Sequence, residues 1–167
     1  MTTVWLTGLP SAGKSTIARA LEKRLLDEGR KVEVLDGDVV RTHLTKDLGF
    51  SREDRRENVL RIGFVANLLS RNGVTVLCPV IAPYREDRDE VRALHEDRFV
   101  EVYVSTPVDV CSERDVKGLY AKQKAGELSG LTGVDDPYEP PANAEVTIPT
   151  HELSLEESVE RVWQAIS

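Results

Sequence analysis

Short apolar segments alternate along the chain with longer segments in which apolar residues recur every three or four positions. The short segments have the length and composition of buried strands, and they predict strands at 4–7, 31–35, 74–81, 99–104 and 146–148. The longer segments follow the period of an amphipathic helix. They predict helices that include 17–25, 59–69 and 86–96, a fourth helix that begins at Pro107, and a last helix opened by Ser154 and Glu157 at the capping-box spacing.

The order of these elements predicts the fold class. Strands alternate with helices, and each strand is almost wholly apolar, which is typical of a parallel sheet covered by helices on both faces. We therefore predict an α/β fold with a parallel five-stranded sheet flanked by helices. In such sheets ligands bind beyond the carboxyl ends of the strands, so the loops that follow the strands are the places to search for a site.

Length and charge narrow the class of protein. A chain of 167 residues is close to the common size of one domain, so we expect a single domain over 1–167. The formal net charge of −7 disfavours nucleic acid as a partner, because the surface as a whole repels phosphates. An anionic ligand would need a local basic cluster, and two stretches offer one: Arg52, Arg55, Arg56 and Arg61, and Arg114, Lys117, Lys122 and Lys124.

Other features indicate the compartment. No apolar run approaches the roughly 20 residues that span a bilayer, and residues 1–3 lack the basic start of a secretory signal. We expect a cytoplasmic protein with no membrane partner. Cys78 and Cys111 have neither a metal-binding nor a redox spacing, which predicts two buried thiols. The histidines, with no metal-like spacing, are predicted to be solvent-exposed: His43, His95 and His151.

The loop after the first predicted strand carries a complete phosphate-binding motif. It reads Gly8-Leu9-Pro10-Ser11-Ala12-Gly13-Lys14-Ser15 and lies directly between a strand and a helix. In such a loop the backbone N–H groups and the helix dipole face a phosphate, the lysine reaches the outer phosphates, and the serine can ligate Mg²⁺. We expect this loop, with Thr16, to bind ATP, and we expect Lys14 to lie on the surface when the loop is empty. The motif in this context indicates the three-layer sandwich of the P-loop NTPases.

Two carboxylates follow the second predicted strand. Asp36 and Asp38 lie where a phosphotransferase needs a magnesium-ordering group or a general base. Two aspartates around a glycine are also common in turns. The residues alone leave a turn and a catalytic or magnesium-ordering role equally open. The chain has no NKxD-type guanine motif and no room for the extra modules of an ATP-driven motor. A kinase that acts on a small molecule is the class that remains.

Residues 114–145 form a long irregular insert. Glycines at 118, 126, 130 and 133 and prolines at 137, 140 and 141 interrupt basic and polar residues. Long loops in compact domains are mostly functional lids or disordered segments. We expect this insert, the lid, to be mobile when the site is empty and ordered when both substrates are bound.

Several blocks of sequence resemble the adenylylsulfate kinase family. Residues 35–41 resemble its LDGDxxR block, 47–58 its DLGFS…DR.EN block, and 114–120 its RDxKGLY block, and the likeness continues at 132–139. The resemblance covers nearly the whole chain, and separate blocks in the right order are more specific than the phosphate loop alone.

The resemblance implies a reaction and the residues that perform it. The reaction is transfer of the terminal phosphoryl group of Mg-ATP to the 3′-hydroxyl of adenylylsulfate, which gives 3′-phosphoadenylylsulfate for sulfate assimilation. Asp38 would be the base, Asp36 would order Mg²⁺ through water, and Lys117 would reach the transferred group, so that with Lys14 these are the implied catalytic residues. The family also implies a homodimer.

The same resemblance assigns binding roles. Arg114 joins the ATP site. Arg41, Arg55 and Asn58 would hold the anionic group of the acceptor, and Phe50 would stack on its adenine. The remaining residues of the implied acceptor site are Asp38, Ile81, Ala82, Lys117 and Leu131.

Three positions depart from the family pattern. Ala82 stands where the family often has serine, so no hydroxyl is present for a phosphoenzyme route. Leu131 replaces a common phenylalanine and offers the acceptor base an aliphatic face. Val39 replaces a common asparagine. The departures concern the acceptor rather than the phosphates, so a kinase for another nucleotide-linked acceptor, such as a cytidine diphosphate derivative, is the first alternative. A nucleotide-gated regulatory subunit without activity is the second.

Overall fold

The computed structural model describes residues 1–167 and contains five strands and seven helices. The strands are β1 (Thr3–Thr7), β2 (Val32–Val34), β3 (Thr75–Pro79), β4 (Phe99–Val104) and β5 (Val146–Ile148). The helices are α1 (Lys14–Asp27), α2 (Gly37–His43), α3 (Arg52–Ser70), α4 (Arg85–His95), α5 (Val108–Arg114), α6 (Leu119–Lys124) and α7 (Leu155–Ile166). Every predicted strand and helix is present, and the short helices α2 and α6 were not predicted.

All five strands belong to one parallel sheet, ordered β2-β3-β1-β4-β5. Strand β1 lies at its centre, with Leu6 opposite Pro79 of β3 on one side and Val102 of β4 on the other. The predicted α/β fold is confirmed. Because the strands are parallel, the loops that follow β1, β2, β3 and β4 all emerge at one edge of the sheet.

The two faces of the sheet have separate hydrophobic cores. Alternate residues of a strand point to opposite faces, and in β1 Val4 and Leu6 join one core while Trp5 joins the other. The first core packs the sheet against α1 and α7, and the second packs it against α3 and α4. Helices therefore cover the sheet on both faces, as in a three-layer sandwich.

Local capping explains where several helices begin. Ser154 Oγ accepts a hydrogen bond from the Glu157 amide at 3.1 Å, and the Glu157 carboxylate accepts one from the Ser154 amide, which is the predicted capping box. Ser51 caps α3 in the same way by accepting from the Asp54 amide. Asp36 accepts from the Asp38 amide and thereby starts α2 directly after β2, where the sequence analysis predicted only a turn or a site.

The prediction for one histidine is wrong. His95 is fully buried, and its ring bonds to the Val91 carbonyl at 2.8 Å and to Thr3 Oγ1 at 2.9 Å, which ties the end of α4 to β1. Burial lowers the pKa of His95 from its ordinary value, in keeping with a neutral ring. Cys78 and Cys111 are free and buried, as predicted. None of the helices is both long enough and apolar enough to cross a membrane.

Candidate active site

The phosphate loop, residues 8–15, joins β1 to α1 at the carboxyl edge of the sheet. Its backbone turns through left-handed conformations at Ser11 (φ 63°) and Gly13 (φ 111°). Gly8 is required by close packing, because a Cβ there would lie 2.6 Å from the Val104 carbonyl oxygen of β4. The conformation of the loop is therefore fixed by its own backbone and by its packing against β4.

Neighbouring side chains hold this loop from behind. The Ala12 carbonyl accepts hydrogen bonds from Thr106 at 3.0 Å and Thr150 at 2.8 Å, and the Pro10 carbonyl accepts one from Tyr120 at 2.9 Å. Sequence reasoning missed all three supporting residues. No pattern in the sequence around a threonine or tyrosine shows which distant carbonyl its hydroxyl will bond.

Lys14 is folded back onto its own loop. Its ammonium donates to the carbonyls of Gly8 at 2.9 Å and Leu9 at 2.7 Å, and the residue is only 8% exposed. The expectation that Lys14 lies on the surface is wrong, because these carbonyls occupy the donors that a phosphate would take. Burial lowers the pKa of Lys14 to about 7, although the carboxylates of Asp36 and Asp38 act in the opposite direction.

A hydroxyl and a carboxylate meet beside the loop. Ser15 Oγ donates to Asp36 Oδ2 at 3.2 Å. A hard divalent cation such as Mg²⁺ is held by oxygen ligands, with one or two protein groups and the rest supplied by phosphates and water. The donor set formed by Ser15 and Asp36 fits that requirement.

Lys117 and Asp38 are brought together across 79 positions of sequence. The Lys117 ammonium donates to Asp38 Oδ2 at 2.5 Å, although the two side chains are 55% and 71% exposed. Asp38 lies in the first turn of α2, and Lys117 follows α5 in the lid. The start of the lid is also bonded to the phosphate loop, because the Val116 amide donates to Ser11 Oγ at 3.0 Å.

Arg41, in the same helix as Asp38, forms a stacked pair with Phe50. The Arg41 guanidinium lies 4.2 Å from the centre of the Phe50 ring and donates to the Gly49 carbonyl at 3.0 Å. Burial, and next to it the charge of Arg55, lower the pKa of Arg41. Phe50 is 65% exposed, so its ring can accept a further planar partner.

Arg55 is engaged by the lid. It donates to Thr132 Oγ1 at 2.9 Å and to the Gly130 carbonyl at 2.6 Å, and it forms an ion pair with Asp136 at 2.9 Å. The residue is 7% exposed. Asn58, one turn further along α3, accepts a hydrogen bond from Thr45 at 2.7 Å.

The remaining predicted residues lie around this centre. Leu131 is 6% exposed and belongs to the first hydrophobic core. Ile81 and Ala82 follow β3, where the Ile81 carbonyl accepts a hydrogen bond from Thr7. Arg114 donates to Thr150 at 2.8 Å and to the Ala12 carbonyl at 3.3 Å, which places it against the phosphate loop.

A separate cavity of about 600 Å³ lies between Leu9, the end of β4 and the lid segment 133–138. None of the residues predicted for the acceptor lines it. The predicted site is instead the open edge between the phosphate loop, α2 and the start of α3. Five cations border that edge in a chain of net charge −7: Lys14, Arg41, Arg55, Arg114 and Lys117.

The phosphate loop lies at the edge of a parallel sheet, and beside it Asp38 is contacted by Lys117 of the lid. Together these features define a P-loop kinase. The family model for adenylylsulphate kinase matches residues 1–149. The adenylyl-sulfate kinase of Rippkaea orientalis is 60% identical over 164 residues, which are 98% of this chain and 90% of that protein. The chain therefore belongs to the adenylylsulphate kinase family and is an ATP-dependent phosphotransferase.

Solved structures agree with this assignment. The APS kinase of Mycobacterium tuberculosis, in complex with AMPPNP and APS, superposes with a TM-score of 0.93 at 44% identity and covers 98% of this chain and 95% of that one. The hexameric APS kinase of Thiobacillus denitrificans superposes with a TM-score of 0.73 at 40% identity, over 98% of this chain and 28% of that one. The resemblance to the family is confirmed.

Proposed function

We propose that this chain transfers the γ-phosphoryl group of ATP to the 3′-hydroxyl of adenylylsulfate and so produces 3′-phosphoadenylylsulfate for sulfate assimilation. The contact between Lys117 and Asp38 at 2.5 Å, beside the phosphate loop, is the observation that carries the proposal. It places a proton acceptor and a cation at one point of the open edge, where an acceptor hydroxyl and a terminal phosphate would have to meet.

Asp38 acts as the general base in this proposal. Its carboxylate is largely exposed and accepts the proton of the acceptor hydroxyl as that oxygen attacks phosphorus. Lys117 then exchanges its bond to Asp38 for the transferred phosphoryl oxygens. Phosphoryl transfer depends mainly on alignment and charge neutralisation. Lys117, which reaches both Asp38 and the transferred phosphoryl group, can align the two and neutralise the phosphoryl charge.

Lys14 serves the donor side. Its ammonium is held by the carbonyls of Gly8 and Leu9, and the outer phosphates of ATP would replace those carbonyls. The backbone N–H groups of the phosphate loop would hold the phosphates, except at Pro10, which has no N–H, and Arg114 borders the same loop.

Magnesium is the metal that these residues fit. Ser15 Oγ would ligate it and Asp36 would hold it through water, consistent with their contact at 3.2 Å. When bound with ATP, Mg²⁺ neutralises phosphate charge and thereby makes the γ-phosphorus easier to attack.

The acceptor site extends from Asp38 toward α3. Arg41 and Arg55 supply guanidinium groups for the phosphosulfate, and Asn58 lies on the same helix. Phe50 offers its exposed ring to the adenine. Leu131 would complete the far wall when the lid is closed, and the backbone of Ile81 and Ala82 would line the floor. Ala82 has no hydroxyl, which favours direct transfer without a phosphoenzyme.

We extend the proposal to the lid, the assembly and the compartment. Residues 114–145 would open to admit substrates and close over them. A homodimer follows from the family resemblance, and sedimentation velocity on the purified chain tests it. A cytoplasmic location agrees with two buried cysteines that remain free thiols.

An acceptor panel with radiolabelled ATP tests the function. Labelled 3′-phosphoadenylylsulfate should form from adenylylsulfate, and the Asp38→Asn variant should form almost none. Product only from a cytidine diphosphate derivative would support the related kinase instead. Binding of ATP without transfer to any acceptor would support a regulatory subunit.

A further inference from the structure

Arg88 is a charged side chain in the interior of the protein. It lies in the first turns of α4 and is 1% exposed. Removing a guanidinium from water is costly unless its donors are paired. Arg88 satisfies this condition with bonds in three directions: Nε to Glu101 of β4 at 3.1 Å, one terminal nitrogen to the Ala82 carbonyl at 2.5 Å, and the other to the Glu139 carbonyl at 2.5 Å.

The first of the two carbonyls belongs to the acceptor turn, which we define as residues 81–85. Ala82 has a φ of 45°, a left-handed conformation that is uncommon for a residue with a Cβ and requires support from its surroundings. Arg88 supplies that support at the Ala82 carbonyl, while Thr7 Oγ1 lies 2.5 Å from the Ile81 carbonyl. The turn is thus held in its bent form by side chains from α4 and β1.

The second carbonyl belongs to the lid anchor, which we define as residues 138–140. The Glu139 amide donates to the Pro83 carbonyl at 2.8 Å, and the Glu139 carboxylate accepts from the Arg85 amide at 2.8 Å. The Tyr138 hydroxyl lies 2.8 Å from Thr7 Oγ1. The lid anchor and the acceptor turn are therefore joined in both directions, and Arg88 bonds to each.

We propose that Arg88 is a positioning residue that holds the acceptor turn and the lid anchor as one unit, so that the closing lid and the bound acceptor keep a fixed relation to each other. This inference rests on the proposed function. It adds a residue that touches no substrate and acts through the backbone of Ala82 and Glu139. An arginine is needed because a planar guanidinium directs its donors along fixed, separate directions, whereas a lysine has one ammonium.

Arg92 provides a matched control. It lies one turn further along the same helix and pairs with Glu101 at 3.5 Å and with Glu145, but it bonds to neither the acceptor turn nor the lid anchor. A general effect of losing a cation from α4 would appear at both positions. An effect through the turn and the anchor would appear only at Arg88.

The first test compares Arg88→Lys with Arg92→Lys by steady-state kinetics. Arg88→Lys should raise the KM for adenylylsulfate by about tenfold and lower kcat, while the KM for ATP stays within about twofold, because small misplacements at a reacting centre have effects of this size. Arg92→Lys should leave all three constants near those of the parent. Trypsin cleavage within 114–145 should also lose its protection by adenylylsulfate in Arg88→Lys alone.

A second variant separates positioning from folding. Arg88→Met alone would leave Glu101 buried with a weaker partner, so it is combined with Glu101→Gln, which removes the buried charge at both ends. A folded double variant should show the same rise in the KM for adenylylsulfate. The proposal is overturned if a folded variant at Arg88 keeps the parent's KM for adenylylsulfate, or loses affinity for ATP to the same degree. If the parent itself fails to phosphorylate adenylylsulfate, the proposed function fails instead.

Discussion

The donor and acceptor sides of this site are built in different ways. The phosphate loop is formed by consecutive residues, and its carbonyls are held by hydroxyls from the loops after β4 and β5 and from the lid. The acceptor side is assembled from α2, the start of α3, the turn after β3 and the lid, and its Asp38 and Phe50 are largely exposed. Under the proposed function, a donor site made of adjacent residues binds a phosphate group that many kinases share, whereas an acceptor site made of distant segments depends on the lid to complete it.

The largest expected effect comes from a substitution that impairs the acceptor side and leaves ATP binding intact. Asp38→Asn should lower kcat by roughly 10²–10⁴-fold, because an amide keeps the shape of the carboxylate but cannot accept the proton. The dissociation constant of ATP, measured by titration calorimetry, should change little. Glu33→Gln, an exposed acid on neighbouring β2, is the control. Loss of ATP affinity with normal turnover of bound substrate would assign Asp38 to the donor site.

The second substitution impairs the donor side, where ATP binds, and leaves the acceptor side intact. Lys14→Ala should lower kcat/KM for ATP by roughly 10²–10³-fold, the usual loss for one charge-stabilising donor. The melting temperature should not fall, because burial already disfavours the charged form of Lys14. Lys23→Ala on the exposed face of α1 is the control. A folded Lys14 variant with turnover close to the parent would remove the phosphate-loop assignment.

A third experiment asks which side moves. Limited trypsin digestion of the free protein should cut first near Lys117, Lys122 or Lys124, because α6 is short and these lysines are exposed. Nucleotide and acceptor together should slow that cut by about tenfold when each is at about ten times its dissociation constant. Cleavage at Lys23 in the longer helix α1 is the internal control. Equal rates with and without ligands would leave the insert a passive surface loop.

The smallest expected effect is the pH dependence of ATP binding, which reports on the protonation of Lys14. Burial against the loop carbonyls lowers the pKa of Lys14 from 10.5 to about 7, and bound phosphates would raise it again. Between these values ATP binding should take up a proton, and ATP affinity should fall as pH rises above about 7. The same pKa makes the folded chain bind fewer protons than the unfolded chain between about pH 7 and 10.5, so this group raises the free energy of unfolding as the pH rises through that window.

Titration calorimetry measures the uptake. At about pH 8 the observed enthalpy of ATP binding should depend on the ionisation enthalpy of the buffer, with the sign of proton uptake. Lys14→Arg should abolish that dependence, because a guanidinium stays charged at every pH used. A dependence of equal size in Lys14→Arg would show that another group takes up the proton.

Much of the architecture and the chemistry was readable from local sequence. Short apolar runs and period-3.6 patterns depend on neighbours within a few residues, so they located all five strands, the long helices and the cap at Ser154. The phosphate loop is likewise contiguous. The separate blocks identified the family because each block is a run of adjacent residues, and the comparisons confirmed it.

Tertiary structure decided what depends on distant partners. His95 was expected in solvent but is buried, because the hydroxyl of Thr3, 92 positions away, satisfies one of its ring nitrogens. Lys14 was expected at the surface but is buried, because the folded loop turns its carbonyls of Gly8 and Leu9 toward the ammonium. The contact of Lys117 with Asp38 spans 79 positions. The sequence pattern does not single out Arg88 in its helix, and only the contact with the Glu139 carbonyl of the lid and with the turn after β3 shows why it is buried. Sequence determines which groups are available, and the meeting of segments far apart in the chain determines which of them are paired.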